Sequence, residues 1–80
     1  MKTIQITVDR SRWMASVEYA YLKVTSPTGK HVFIHKCNLL RLTIAEGELT
    51  RRLADDKRPE IMAVTFEEMR MIKTISDKTK

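Results

Sequence analysis

The sequence predicts an α+β domain: an antiparallel sheet of three to four strands, drawn largely from the N-terminal half, packed by two C-terminal amphipathic helices. Three observations predict it. Polarity alternates at period two near the N-terminus. A Pro- and Gly-containing turn separates two runs rich in β-branched and aromatic residues. The hydrophobic period then lengthens to that of a helix, behind two Thr-x-x-Glu segments.

Ile4, Ile6 and Val8 alternate with Thr3, Gln5 and Thr7, the pattern of a half-buried strand, and Asp9-Arg10-Ser11-Arg12 reads as a polar turn. Trp13 to Thr25 fits two templates. A helix would align Trp13, Met14, Val17, Ala20, Tyr21 and Val24, with Ser11 as a cap. A strand would place Trp13, Ala15, Val17, Tyr19 and Tyr21 on one face, and the stiffness of the β-branched and aromatic side chains favours it. Ser26-Pro27-Thr28-Gly29 supplies the next turn, with proline at its second position. A hairpin of about Tyr19–Thr25 with Lys30–Lys36 follows.

Thr43-Ile44-Ala45-Glu46 is a capping box, in which threonine and glutamate each satisfy the other's backbone amide. Ala45, Leu49 and Leu53 then recur at helical spacing, so a helix runs from Ile44 to about Ala54, and Pro59 closes the segment after it. Ile61–Val64 reads as a strand. Thr65-Phe66-Glu67-Glu68 is a second capping box ahead of a helix marked by Phe66, Met69, Ile72 and Ile75. The two box segments, Leu42–Glu46 and Val64–Glu68, have two accounts: a duplicated strand–cap–helix unit, or the same capping physics used twice.

The chain of 80 residues forms a single domain, 1–80, whose core supplies about 3–5 kcal/mol at most, so a homodimer is a natural way to bury more surface. No apolar run reaches the length of a membrane span, and the N-terminus lacks the apolar stretch of a secretory signal. One cysteine, Cys37, leaves no intrachain disulfide and points to a reducing, cytoplasmic setting.

Charge is distributed unevenly. The net charge of +5 falls in residues 1–43, where seven cations meet only Asp9 and Glu18; from Ile44 onward cations and anions balance. Trp13, Tyr19, Tyr21 and Phe33 share that basic half. There is no phosphate-binding glycine loop, nucleophile elbow or paired-cysteine knuckle, so the chain is expected to be neither an enzyme nor a cofactor or metal protein. His31, His35 and Cys37 share a strand parity with Phe33, but a fourth ligand is missing.

The expectation is therefore a small non-enzymatic nucleic-acid-binding protein, a regulator or accessory factor, using a basic, aromatic-containing sheet face. Arg10, Arg12, Lys23, Lys30 and Lys36 are the expected phosphate contacts. Tyr19, Tyr21 and His31 are the expected base or sugar contacts. The competing structural account is that the four rings pack the core while lysines solvate the surface. The alternative function is a small protein-interaction module that binds and regulates a host enzyme or complex, with Met69 and Met71 offering an adaptable face on the last helix. Two family patterns come near. Lys2–Asp9 looks like the strand that opens ribbon-helix-helix DNA-binding proteins, which would make Thr3, Gln5 and Thr7 base-reading residues. Trp13-x-Ala15-x-Val17, Gly29-Lys30 and Thr43-x-Ala45-Glu46 together are similar to integrase arm-binding domains, which implies three strands and one helix.

Overall fold

The computed structural model describes residues 2–13 and 20–77. Four strands, β1 (Thr3–Asp9), β2 (Tyr21–Thr25), β3 (His31–His35) and β4 (Ile61–Thr65), form one antiparallel sheet in the order β3-β2-β1-β4. A 3-10 helix (Lys36–Arg41) and α1 (Ile44–Ala54) lie between β3 and β4, and α2 (Phe66–Asp77) follows β4 directly. The α+β arrangement is the one the sequence predicts.

The hydrophobic alternation of β1 becomes a division of faces. Register pairs Ile4 with Val64, Ile6 with Met62 and Val8 with Val24, and Leu22 with Ile34 one strand further out. These side chains all project to one side of the pleat. There they meet Leu49 and Leu53 of α1 and Met69, Ile72 and Ile75 of α2 in a single core. Thr3, Gln5, Thr7 and Asp9 alternate to the opposite, exposed face.

The hairpin forms as its turn sequence dictates. Gly29 donates to the Ser26 carbonyl at 3.0 Å, and Gly29 adopts φ +89°, a left-handed conformation that side-chain-bearing residues disfavour. Both capping boxes close. Thr43 N donates to Glu46 Oε2 at 3.0 Å and Glu46 N to Thr43 Oγ1 at 3.4 Å. Thr65 N donates to Glu68 Oε1 and Glu68 N to Thr65 Oγ1, each at 3.0 Å. Their lead-ins differ, a 3-10 helix before Thr43 and a strand before Thr65, which favours shared capping physics over a duplicated unit. At the other end of α2, Asn38 Nδ2 donates to the Ile75 carbonyl at 3.0 Å, satisfying an acceptor in the last turn.

Several expectations change here. Trp13 sits in a turn, with its amide donating to the Arg10 carbonyl at 3.1 Å, and is buried in the core rather than opening a strand. The helix-or-strand question for residues 14–19 lies outside the described residues. β1 is paired on both edges within its own chain, so it cannot act as the ribbon of a ribbon-helix-helix dimer. The three-stranded sheet implied by the integrase arm-binding likeness is enlarged by β4 and α2. Met69 is buried in the core and Met71 packs partly against it.

Arg10 is the largest correction. Its residue is 8% exposed, and its guanidinium is spent on the chain itself. Nε donates to the Leu53 carbonyl at the end of α1, and Nη1 to the carbonyls of Arg58 (3.0 Å) and Pro59 (3.3 Å). Nη2 approaches Met62 Sδ at 3.2 Å. The side chain staples the end of β1 to the α1–β4 connection, and its burial and three main-chain acceptors take it away from any phosphate on the open face. Charged hydrogen bonds contribute about 1.5–3 kcal/mol each, and orphaned buried acceptors cost a similar amount. Arg10→Ala should therefore lower unfolding free energy by at least about 2 kcal/mol in urea titration, and Arg10→Lys should recover only part of the loss, because an ammonium cannot span three carbonyls.

Glu68 joins the two helices, its carboxylate accepting from the Thr65 amide and pairing with Arg52 of α1. Its carboxyl is held below the ordinary range, chiefly by the hydrogen bond from the Thr65 backbone, with Arg52 adding to the effect against an opposing contribution from burial. A lowered folded-state value means that the ionised form stabilises the fold above about pH 4.3, where the unfolded chain ionises, and that this contribution disappears as pH falls through the folded value. Stability measured by denaturant titration should decline on acidification below about pH 5, and Glu68→Gln should flatten that decline. Thr65→Ala should cost about 1 kcal/mol at neutral pH through loss of the cap.

Candidate nucleic-acid interface

The sheet has one face under the helices and one on which no described element packs. On that open face, β2 and β3 bring four rings together. Tyr21 and Phe33 meet edge to face, with centroids 5.1 Å apart and planes at 86°. His31 lies 5.2 Å from Phe33, and His35 lies 5.6 Å from Tyr21. The cause is register: Tyr21 pairs with His35 and Lys23 with Phe33, while Leu22 and Ile34 pair on the buried side. Tyr21 and His35 are half-buried, whereas His31 is exposed and Phe33 retains 37% of its surface.

Lys23 stands between the rings and β1, opposite Phe33 on one side and Asp9 on the other. Thr3, Gln5, Thr7, Thr25, Ala63 and Thr65 make the rest of the face small or polar, with Ile61 as its one large aliphatic side chain among the described residues. Asp9 is the one carboxylate projecting from the described strand residues here. Its carboxyl is pulled below the usual range, first by the hydrogen bond from the Ser11 amide at 2.9 Å, with Ser11's hydroxyl and the charges of Lys23 and Arg12 adding to it.

The other expected contacts are dispersed. Arg12 is exposed in the turn beyond β1. Lys36 follows β3 at the same end of the sheet but turns to the helix side, where its ammonium lies 5.7 Å from the centre of the core Trp13 ring and it lines a groove with Thr50, Arg51 and Ala54 of α1. Lys30 is at the opposite end, where it lines a groove on the helix side. Arg10 is buried, as described, and Tyr19 lies outside the described residues. The rings thus split between two fates: Trp13 packs the core, and Tyr21 and Phe33 do not. Sequence reasoning did not include Phe33 or His35 among the contacts. Their shared parity with His31, beside the aliphatic Val32 and Ile34 of the opposite parity, was the available signal.

Cys37 leaves the strand face by entering the 3-10 helix, where its exposed thiol points toward Asn38 Oδ1 at 3.9 Å. His31, His35 and Cys37 therefore do not share one strand face. Among the described residues no three His, Cys, Asp or Glu side chains gather around a potential metal position, and no helix is long and apolar enough to cross a membrane. Comparison with known families, curated proteins and solved structures finds no match to the chain.

Proposed function

We propose that the protein binds single-stranded nucleic acid on the open face of its sheet, with bases laid against Phe33 and Tyr21 and phosphates met by Lys23 and Arg12. The observation that carries this reading is the four-ring cluster left outside the core, beside a lysine, on a sheet otherwise backed by helices. Phe33 lies outside the core and keeps 37% of its surface exposed, so its ring is available for stacking, since every base offers a π-face.

Width argues for a single strand over a duplex. Four strands about 4.8 Å apart span roughly 14 Å before side chains are counted, whereas a major groove roughly 12 Å wide admits a helix or a two-stranded ribbon. Two phosphate contacts predict a weak salt dependence, with log K falling against log salt at a slope of about −1.4.

Anisotropy titration of labelled single-stranded oligonucleotides at about 50 mM salt tests the reading, because phosphate affinity is strongest at low salt. Phe33→Ala and Tyr21→Ala should each weaken binding about tenfold, the scale of one lost base stack. Lys23→Glu should weaken it across sequences. Asp9→Asn should strengthen it, by removing the anion that partly cancels Lys23. No binding at that salt, or unchanged binding by Phe33→Ala, overturns the proposal.

A second reading, a module that docks on another protein, draws on β4. This strand is a sheet edge whose residues Ile61–Thr65 carry no charge, and Ile61 is 61% exposed. Edges of this kind invite strand addition. Hydrogen exchange separates the two readings: bound oligonucleotide should protect the β2–β3 hairpin, and a docked strand should protect β4.

A further inference from the structure

A second concavity lies on the helix side of the sheet, between the β2–β3 turn and the first half of α2. Its volume of about 410 Å³ is walled by Ile4, Val24, Val32, Phe66 and Met69, within the size range of small-molecule sites. The apolar stripe of α2 explains why it is there. Met69, Ile72 and Ile75 are buried, but Phe66, one turn earlier on the same stripe, remains 56% exposed beside the groove. The helix therefore carries its apolar face past the end of the core.

The mouth is cationic. Lys30 reaches it from the hairpin and Lys73 from α2, and Arg70 edges its continuation past Phe66 and Met69. Among the described residues no carboxylate lines either part and neither lysine forms an ion pair. Ser26 and Thr28, also at the mouth, hydrogen-bond each other at 2.9 Å. Apolar walls under two unneutralised ammonium groups complement a ligand that is apolar at one end and anionic at the other.

We propose that this groove binds a single-chain amphipathic carboxylate of the fatty-acid type, its chain against Phe66, Met69 and Val32 and its head group between Lys30 and Lys73. The site is separate from the ring face and independent of the nucleic-acid reading; Lys30 serves the groove rather than a phosphate on the open face.

Sodium decanoate, added to the full chain below its micellisation concentration and followed by amide NMR, provides the test. Saturable shifts are expected over Ser26–Lys30 and Phe66–Lys73. Decyltrimethylammonium, with the same chain and the opposite head charge, should bind at least tenfold more weakly. Lys30→Glu and Lys73→Glu alter exposed side chains, so each variant should unfold at an unchanged midpoint while losing the preference for decanoate. Phe33→Ala should leave decanoate binding intact, so the two sites report separately. The absence of saturable shifts at these residues, or equal binding of the two head groups, overturns the proposal. Association with phosphatidylglycerol vesicles without a response to decanoate would assign the chemistry to a lipid surface and overturn the free-ligand form as well.

Discussion

The double pairing of β1 is the constraint on which the rest of the molecule depends. It is hydrogen-bonded to β2 on one edge and β4 on the other, so both flanking strands take their register from it. Its strict alternation decides which side of the pleat is buried, and a shift of one residue would exchange the two faces throughout. With Ile4, Ile6 and Val8 turned toward the helices, β2 and β3 must turn Leu22, Val24 and Ile34 the same way. Tyr21, Phe33, His31 and His35 are then left outside. The ring cluster is a consequence of register three strands wide, not of any attraction between the rings alone.

Much of this was legible in the sequence, because the signals were local. The turn at Ser26–Gly29 and the boxes at Thr43 and Thr65 each lie within four residues and use chemistry that few other sequences supply. The bounds of α1 emerge from its cap and from Pro59 beyond it. The 3-10 helix at Lys36–Arg41 was not legible, since it has neither a 3.6-residue stripe nor a cap signature. The fate of Arg10 was hidden for a different reason. Its acceptors are main-chain carbonyls 43 to 49 residues away, and a carbonyl leaves no mark in the sequence.

Charge counting proved a coarse guide to the candidate interface. The basic half of the chain does not fold into one cationic platform. Of its expected cationic contacts, Lys23 alone projects from the middle of the open face, Arg12 lies near one end of the sheet, and Lys36 and Lys30 face grooves on the helix side. Composition sums charges without regard to side. The pleat separates them, and period-two parity was a better predictor of neighbours than proximity in the sequence.

The stapling of β1 to the α1–β4 connection also bears on how tolerant the chain is to drift. Every oxygen that Arg10 engages belongs to the peptide backbone, which persists whatever side chain occupies positions 53, 58 or 59. Homologues could therefore vary widely along that connection while keeping its path, with the whole burden of specificity resting on a single upstream guanidinium. Such a contact would leave little paired pattern of compensating changes in an alignment: one position would stay fixed, while the exposed positions 58 and 59 whose carbonyls it holds would be free to vary.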